Sequence, residues 1–253
     1  MKEKLKNSPL KYAVIIARAF TLKPSLSSRI TSLISFFTDY KAYRKMESNQ
    51  EYKLSTADLF PRIFDKTVTH EIDPVYFIQG CWCARKVFKA SPRSHVDVGS
   101  QALMVGIISQ YTPTTMVDIR PLSLSMPGLS FIKGDITSLP FKNNEIDSLS
   151  SICVIEHIGL GRYGDPLDQF GTEKAATELS RVLAKNGNLY ISVPVDAESK
   201  TYFNAHRAFT RNRVLALFPS LTLIEESYIY GRDIVPSYDG SRFGTGLYHL
   251  KKI

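Results

Sequence analysis

Polar residues that can do chemistry end each of four short apolar runs in the middle of the chain. They are Asp97 and Gly99, then Asp118, then Asp135, then Glu156 with His157. A glycine lets the backbone come close to a ligand. Asp118 lies 19 residues beyond Gly99, and an acid at this place suits a bidentate hydrogen bond to the two hydroxyls of a ribose. Asp135 can accept from an exocyclic amine such as that of adenine. The alternative for Asp97 and Asp118 is that they merely terminate strands.

These runs alternate with helical patterns, which is typical of a parallel sheet covered by helices on both faces. Strands are predicted at 94–98, 114–119, 129–135, 146–155 and 188–195, and helices at 74–88, 101–110 and 172–187. A helix at 211–218 and two closing strands at 221–230 and 246–253 complete the pattern. The predicted fold is a Rossmann-like, doubly wound, mostly parallel α/β sheet with an antiparallel C-terminal strand and an N-terminal helical extension. In such a sheet, ligands bind beyond the carboxyl ends of the strands, where the strand order reverses.

Local signals set the predicted ends of two helices. Thr172 is the predicted N-cap of one helix, and Asn186-Gly187 is its predicted stop. Thr210 is predicted to cap the helix at 211–218, with Phe209 and Val214 placed as a hydrophobic staple.

The positive charge of the chain is concentrated at its N-terminus. The first fifty residues hold ten Lys and Arg against three acids, whereas residues 51–253 hold 22 bases and 21 acids. A nucleic-acid-binding domain would carry its positive charge around its site, so no nucleic-acid partner is expected. Residues 1–75 are predicted to be a basic helical extension, in two pieces separated at Pro24, and residues 76–253 the α/β domain.

The second helical piece has apolar residues at positions 26, 30, 33, 34 and 37. It is therefore expected either to pack on its own domain or to rest on an anionic membrane surface. No apolar run reaches the ~18–20 residues of a spanning helix, and Cys81, Cys83 and Cys153 lack metal-ligand spacing. We expect a cytoplasmic protein with reduced thiols and no metal site, with the inner membrane surface as an alternative location.

Several stretches resemble the motif series of class I S-adenosylmethionine-dependent methyltransferases: "HVDVGS", "MVDIRP", "FIKGDITSLPFKNNEIDSLSSICVIEHI" and "ELSRVLAKNGNLYISVPV". The resemblance covers about residues 75–253. More narrowly, "EHIGLGRYGDPLD" and "FNAHR" resemble an uncharacterised methyltransferase-like family catalogued as domain of unknown function 268. The resemblance implies S-adenosylmethionine as cofactor. Its methionine end would lie at Asp97, Gly99 and Ser100, its ribose at Asp118, and its adenine at Asp135 with Ile136.

The loop after the first strand departs from that family's pattern. The usual Gly-x-Gly-x-Gly is here Gly99-Ser100-Gln101-Ala102-Leu103. A methionine carboxylate is smaller than a pyrophosphate, so one glycine can suffice; the alternative is that Gln101 and Leu103 fill the pocket. The same departure disfavours a nicotinamide dinucleotide, which needs Gly-x-Gly-x-x-Gly for its pyrophosphate.

A hydroxyl that accepts a methyl group also loses its proton, so a base within hydrogen-bond reach would help. His157 is the first candidate, because histidine ordinarily titrates near neutrality, and Asp165 and His206 are the others. A structural histidine bonded to a backbone carbonyl is the alternative for His157. Arg162 and Arg207 favour an anionic or hydroxylated acceptor, such as a small polar molecule or a glycan. The predicted function is O-methylation; the alternative is a methyltransferase-like binding or scaffold protein without turnover.

Overall fold

The structure is a computed structural model that describes residues 26–46, 51–52 and 54–253. The chain divides into two compact units, Met1–Glu71 and Ile72–Ile253. The first unit contains helix α1 (Leu26–Lys45) and a short 3-10 helix at Thr56–Asp58. No residue of α1 is buried. The helical piece predicted before Pro24 lies outside the described residues. Within the described part of the chain, no helix is both long and apolar enough to cross a membrane.

The second unit alternates strands and helices as the sequence predicts. Its elements are α2 (Pro74–Ala90), β1 (His95–Val98), α3 (Ala102–Ile108), β2 (Thr114–Asp118), β3 (Leu129–Lys133), β4 (Ile146–Ile152), α4 (Gly171–Val182), β5 (Leu183–Val195), β6 (Lys200–Tyr202), β7 (His206–Ala208), α5 (Arg211–Leu217), β8 (Thr222–Tyr230), β9 (Asp233–Val235) and β10 (Gly244–Lys251). The short strands β6, β7 and β9 were not predicted.

One sheet of eight strands organises this unit, in the order β3-β2-β1-β4-β5-β10-β8-β9. β1 pairs in parallel with β2 and β4, and β4 pairs in parallel with β5. β10 is antiparallel to both β5 and β8. The predicted doubly wound, mostly parallel sheet with an antiparallel C-terminal strand is therefore confirmed. The strand order reverses between β1 and β4, and this is where a ligand crevice is expected.

Helices cover both faces of the sheet and bury two apolar clusters. On one face, Trp82 of α2 and Val105 of α3 pack over Ile152 and Tyr190. On the other, Leu179 of α4 packs with a set of residues from the strands and from α5: Val96, Val98, Val117, Leu149, Val193 and Val214. Because both faces are covered, β1 is fully buried and β2 is buried at four of its five residues, which explains why these strands are apolar runs in the sequence.

The predicted ends of α4 are wrong. Phe170 is the N-cap residue, and the hydroxyl of Thr172 instead donates to the Ile155 carbonyl at 2.7 Å. The helix ends at Val182, and Asn186-Gly187 lies inside β5, where the pairing with β4 shifts register. The positive φ of Asn186, 65°, fits a bulge there. The prediction for α5 is confirmed, since the Thr210 side chain accepts from the Arg213 amide.

Candidate functional site

The turn after β1 leads the chain into the crevice at the strand-order reversal. Gly99 has a φ of +74°, a conformation that side chains with a Cβ rarely adopt. Its amide donates to the Val117 carbonyl at 2.8 Å. A Cβ on Gly99 would lie 2.9 Å from Cγ1 of Val154, which follows β4. Both the backbone and the neighbouring loop therefore require glycine at this position.

Asp97 lies beneath this turn and is fully buried. Its Oδ1 accepts from the Ser100 amide at 3.0 Å, and its Oδ2 accepts from the hydroxyl of Ser150. The same Ser150 Oγ lies 2.9 Å from Nε2 of His95. Burial raises the pKa of Asp97 to about 6. In this structure Asp97 holds the turn in shape, and its contact with the methionine end of a cofactor stays a prediction.

Of the two residues that replace the missing glycines, Gln101 lines the crevice and Leu103 does not. Gln101 precedes α3, lines the cavity rim and has an exposed side chain. Leu103 is 70% exposed and does not belong to the lining of the cavity. Ser100 does line it, and its hydroxyl accepts from the Ile152 amide at 2.9 Å. The alternative in which Leu103 fills the pocket is therefore not what the structure shows.

A cavity of about 740 Å³ opens at these strand ends, within the range of small-molecule sites. The loops after four neighbouring strands, β1 to β4, all contribute to its lining. Seven of the nine predicted site residues line it: Gly99, Ser100, Asp118, Asp135, Ile136, His157 and Asp165. Asp97 and His206 do not.

Asp118 ends β2 at one side of the cavity and is bonded to Arg120. Oδ1 accepts from the Arg120 amide at 2.8 Å and from its Nε at 3.1 Å, and Oδ2 accepts from its Nη2 at 3.0 Å. The guanidinium carbon of Arg120 lies 4.6 Å from the centroid of the Tyr163 ring. The acid predicted to bind ribose is thus paired with a cation of its own chain.

Asp135 and Ile136 follow β3 on the same side of the cavity. Asp135 is exposed, and its Oδ1 accepts from both the amide and the hydroxyl of Thr137 at 2.8 Å. Ile136 is buried beside it and offers an apolar wall. A carboxylate next to an apolar wall suits a flat heterocycle that carries an amino group.

His157 lies at the far side of the cavity, after β4. It is 6% exposed, and its Nδ1 donates to the Ala205 carbonyl at 2.6 Å. With the proton on Nδ1, the lone pair is on Nε2. Burial, with a smaller contribution from the nearby Arg162 guanidinium, lowers the pKa of His157 to about 4. The imidazole is therefore neutral at pH 7. The carbonyl bond foreseen in the structural alternative is present.

Two further groups, Glu156 and Cys153, lie in the segment after β4 that carries His157. Glu156 is 1% exposed, and burial raises its pKa to about 8, so the carboxyl is protonated at neutral pH. Its Oε1 lies 3.7 Å from Nε2 of His157. Cys153 lines the cavity with a φ of +53°, and its Sγ lies 3.1 Å from Oε1 of Gln79. Burial also raises the pKa of Cys153, which keeps the thiol uncharged. We refer below to the side of the cavity lined by Cys153 and His157, with Glu156 next to His157, as the acceptor end. These three side chains are uncharged at neutral pH.

Asp165 organises the loop Gly159–Asp168 that borders the acceptor end. Oδ2 accepts from the Gly159 amide at 2.7 Å, and Oδ1 accepts from the Tyr163 amide at 3.2 Å. Arg207 supports the same loop from outside, since its guanidinium donates to the carbonyls of Ile158 and Asp168. Arg207 thus has a structural contact, and it does not line the cavity.

His206 lies behind His157, with the two ring centroids 6.5 Å apart. It packs against Tyr202 and Phe243, and its buried Nε2 has no hydrogen-bond partner within the described residues. Burial and Arg162 lower its pKa. His206 stands next to the acceptor end without lining the cavity.

Many residues of the cavity lining were not among the predicted site residues, and Tyr76, Arg120 and Cys153 are three of them. Tyr76 lies on α2, and the apolar run that predicts this helix does not reveal which side chain faces the crevice. Arg120 follows Asp118 by two residues, so its position in the sequence was a usable signal. Cys153 reaches the cavity because of its left-handed backbone, which the sequence does not indicate.

The family model described as "Caenorhabditis protein of unknown function, DUF268" matches residues 137–232. This confirms the narrower resemblance. No curated protein matches the sequence.

Solved structures with a similar fold include methyltransferases. A putative sarcosine dimethylglycine methyltransferase from Galdieria sulphuraria aligns with a TM-score of 0.52 at 11% identity, over 72% of this chain and 91% of that one. The N-methyltransferase NodS from Bradyrhizobium japonicum WM9, crystallised with S-adenosyl-L-homocysteine, aligns with a TM-score of 0.50 at 14% identity, over 72% and 89%. At such identities the likeness shows the fold.

Proposed function

We propose that this chain, which has the fold of class I S-adenosylmethionine-dependent methyltransferases, binds S-adenosylmethionine and transfers its methyl group to an oxygen of a small polar or glycan-type acceptor. One observation carries the proposal. Gly99, Asp118, Asp135 and His157 come from four separate loops and line one cavity at the strand-order reversal.

The residues present fit the cofactor. The cavity is large enough, at about 740 Å³, to hold a nucleoside with an amino-acid chain and part of an acceptor. Asp118 is assigned to the ribose diol, and Asp135 with the apolar wall of Ile136 suits adenine. Leu103 is not part of the cavity lining. When bound, the cofactor supplies a methyl carbon that is already activated by its positively charged sulfur.

The chain itself then has to align the acceptor and keep water out. Such positioning can contribute ~7–11 kcal/mol in favourable intramolecular models. Nε2 of His157 can accept a hydrogen bond from a hydroxyl, because Nδ1 donates to the Ala205 carbonyl. Arg162 lies 3.3 Å from this ring and carries a positive charge. These groups disfavour a positively charged acceptor, and the lone pair of Nε2, which can accept from a hydroxyl, is what supports an oxygen acceptor.

The proposal predicts that calorimetry detects binding of both S-adenosylmethionine and S-adenosylhomocysteine. Asp118→Ala should weaken both by about 10-fold or more, since hydrogen bonds to a charged group contribute ~1.5–3 kcal/mol. Asp147→Ala is the matched control, because Asp147 is exposed at the other end of β4. Absence of binding to either ligand by the unaltered protein would instead support the scaffold alternative. Transfer of a labelled methyl group into a cell extract would then identify the acceptor.

The N-terminal unit is proposed to contact an anionic membrane surface on the cytoplasmic side. In α1, Ile30, Ile34 and Phe37 are all exposed, and Arg44 and Lys45 form its last turn. Exposed apolar residues combined with basic ones are typical of helices that lie in a membrane interface. A cytoplasmic location agrees with the three unpaired cysteines, Cys81, Cys83 and Cys153.

A further inference from the structure

Arg120 uses most of the hydrogen-bonding capacity of Asp118. A carboxylate offers about four acceptor positions. The amide and the Nε of Arg120 take the two positions of Oδ1, at 2.8 and 3.1 Å, and its Nη2 takes one position of Oδ2, at 3.0 Å. About one position is left. A ribose diol brings two hydroxyl donors and needs two positions.

The same pair also limits access to the carboxylate. The Asp118 side chain is 7% exposed, whereas that of Arg120 is 56% exposed. The guanidinium therefore lies on the outside of the carboxylate, between it and solvent. A ligand can replace only the two hydrogen bonds from the Arg120 side chain without moving the backbone, because the third bond comes from the Arg120 amide.

We propose that Arg120 sets the affinity and the selectivity of this cavity for ligands with a ribose diol. Its side chain holds Asp118 when no ligand is bound, and it gives up at least one of its bonds when two ribose hydroxyls bind. A ligand with a single ribose hydroxyl fits the remaining position and leaves the ion pair intact. The proposal rests on the proposed function, since it requires a ligand that contains adenosine.

Tyr163 gives the Arg120 guanidinium a contact besides Asp118 and connects it to the acceptor end. The Arg120 guanidinium carbon lies 4.6 Å from the Tyr163 centroid, within the range of a cation–π contact. The Tyr163 ring in turn lies 5.5 Å from the ring of His157. Movement of Arg120 therefore changes the support of the loop Gly159–Asp168 that borders the acceptor end.

Calorimetry with S-adenosylhomocysteine and with its 2′-deoxyribose analogue tests the proposal. Arg120→Ala should tighten S-adenosylhomocysteine by about 3- to 10-fold, because the diol no longer competes with an ion pair. Arg120→Lys should give a smaller gain, since one ammonium cannot bond both oxygens in a fork. Neither variant should change the affinity for the deoxy analogue.

Arg242→Ala is the matched control. Arg242 also pairs with an aspartate, with its Nε 2.8 Å from Asp239, and its guanidinium lies 4.3 Å from the ring of Tyr230. Its side chain is 58% exposed, close to that of Arg120. The same change at this position should leave the affinity for S-adenosylhomocysteine unchanged.

The outcomes separate this proposal from the proposed function. Equal or weaker binding of S-adenosylhomocysteine by Arg120→Ala overturns the role of Arg120 and leaves the cofactor assignment standing. Absence of binding by every variant overturns both. If Arg120→Ala gains as much affinity for the deoxy analogue as for S-adenosylhomocysteine, only the claim of selectivity for a ribose diol is overturned. Hydrogen exchange of residues 159–168 provides a second readout: it should be faster in Arg120→Ala without ligand, and unchanged exchange contradicts the coupling through Tyr163.

Discussion

Individual side chains at the acceptor end have pKa values far from their ordinary ones because they are buried. The expectation that His157 titrates near neutrality is wrong, since burial lowers its pKa to about 4. Glu156 changes in the opposite direction, to about 8, for the same reason. His157 is therefore a weak base that can accept a hydrogen bond and orient an acceptor hydroxyl over a wide range of pH.

We expect His157→Gln to keep the affinity for S-adenosylhomocysteine and to lower turnover by roughly 10- to 100-fold, at or below the usual range for acid–base groups. In the unaltered protein, the neutral form of His157 is the active one, so turnover should fall as the pH drops through about 4. Activity between pH 6 and 8 should show no inflection due to this residue. His249→Gln is the control: His249 is half-buried and its pKa is likewise lowered to about 4, but it lies on β10. An inflection near pH 6.5 that His157→Gln abolishes would contradict the assignment.

The sequence predicted those site residues whose signal is local. Gly99 and Asp118 were found because each stands at a fixed place after an apolar run. The role of Asp97 was not found, because its partner Ser150 lies 53 residues away in another strand. The Arg120 contact was missed for a different reason, since the direction of a side chain depends on tertiary packing. Local spacing thus predicted which residues reach the crevice. It did not predict the hydrogen-bond partners of those residues.

Among the elements, the loop Gly159–Asp168 depends on a few polar contacts. Asp165 binds its backbone amides, and Arg207 binds its carbonyls. Its backbone also needs positive φ angles at Gly159 and Gly161, where a Cβ at Gly159 would lie 2.0 Å from the Asp168 carbonyl oxygen. The loop is therefore held in one conformation by its own sequence, next to the acceptor end.

Asp165→Asn should loosen this loop without unfolding the unit. One carboxylate oxygen becomes an NH₂ group, which cannot accept a hydrogen bond from an amide. The loop therefore loses the bond from either the Gly159 amide or the Tyr163 amide. Hydrogen exchange at residues 159–163 should become about 10-fold faster or more, in line with the loss of a hydrogen bond to a charged group. Asp239→Asn is the control, because Asp239 accepts from the Ser241 amide in another turn. Unchanged exchange would contradict the role given to Asp165.

The elements also show where sequence patterns mislead. Asn186-Gly187 looked like the end of a helix, yet α4 ends at Val182 and the pair forms a bulge in β5. Both a helix end and a bulge use left-handed residues, so the sequence signal is the same. The pairing of β5 with β4, which decides between them, is a long-range contact.

For the molecule as a whole, the net positive charge lies in the first fifty residues and not in the α/β unit. Residues 51–253 are nearly balanced, with 22 bases and 21 acids, whereas residues 1–50 have ten bases and three acids. A localised positive charge attracts an anionic surface within about 10 Å at 0.1 M salt. The proposed membrane contact therefore belongs to the N-terminal unit and not to the cavity.

Co-sedimentation with vesicles of phosphatidylcholine and phosphatidylserine tests this contact. The full chain should pellet with these vesicles, less so at high salt, and Ile34→Glu in α1 should reduce the bound fraction several-fold by placing a charge in the interface. Ile224→Glu is the control, since Ile224 is similarly exposed but lies on β8. Equal pelleting of all three proteins would contradict the membrane contact.

The contact of Gly99 with Val154 has a consequence for how the cavity forms. The turn after β1 belongs to the first half of the sheet, and Val154 follows β4, which begins the second half. Neither half alone contains the complete crevice, so a nascent chain gains a ligand site only after residues more than fifty positions apart have met. Binding of a nucleoside would then stabilise the joined halves together. In this fold, binding of such a ligand would be thermodynamically linked to the assembly of the sheet.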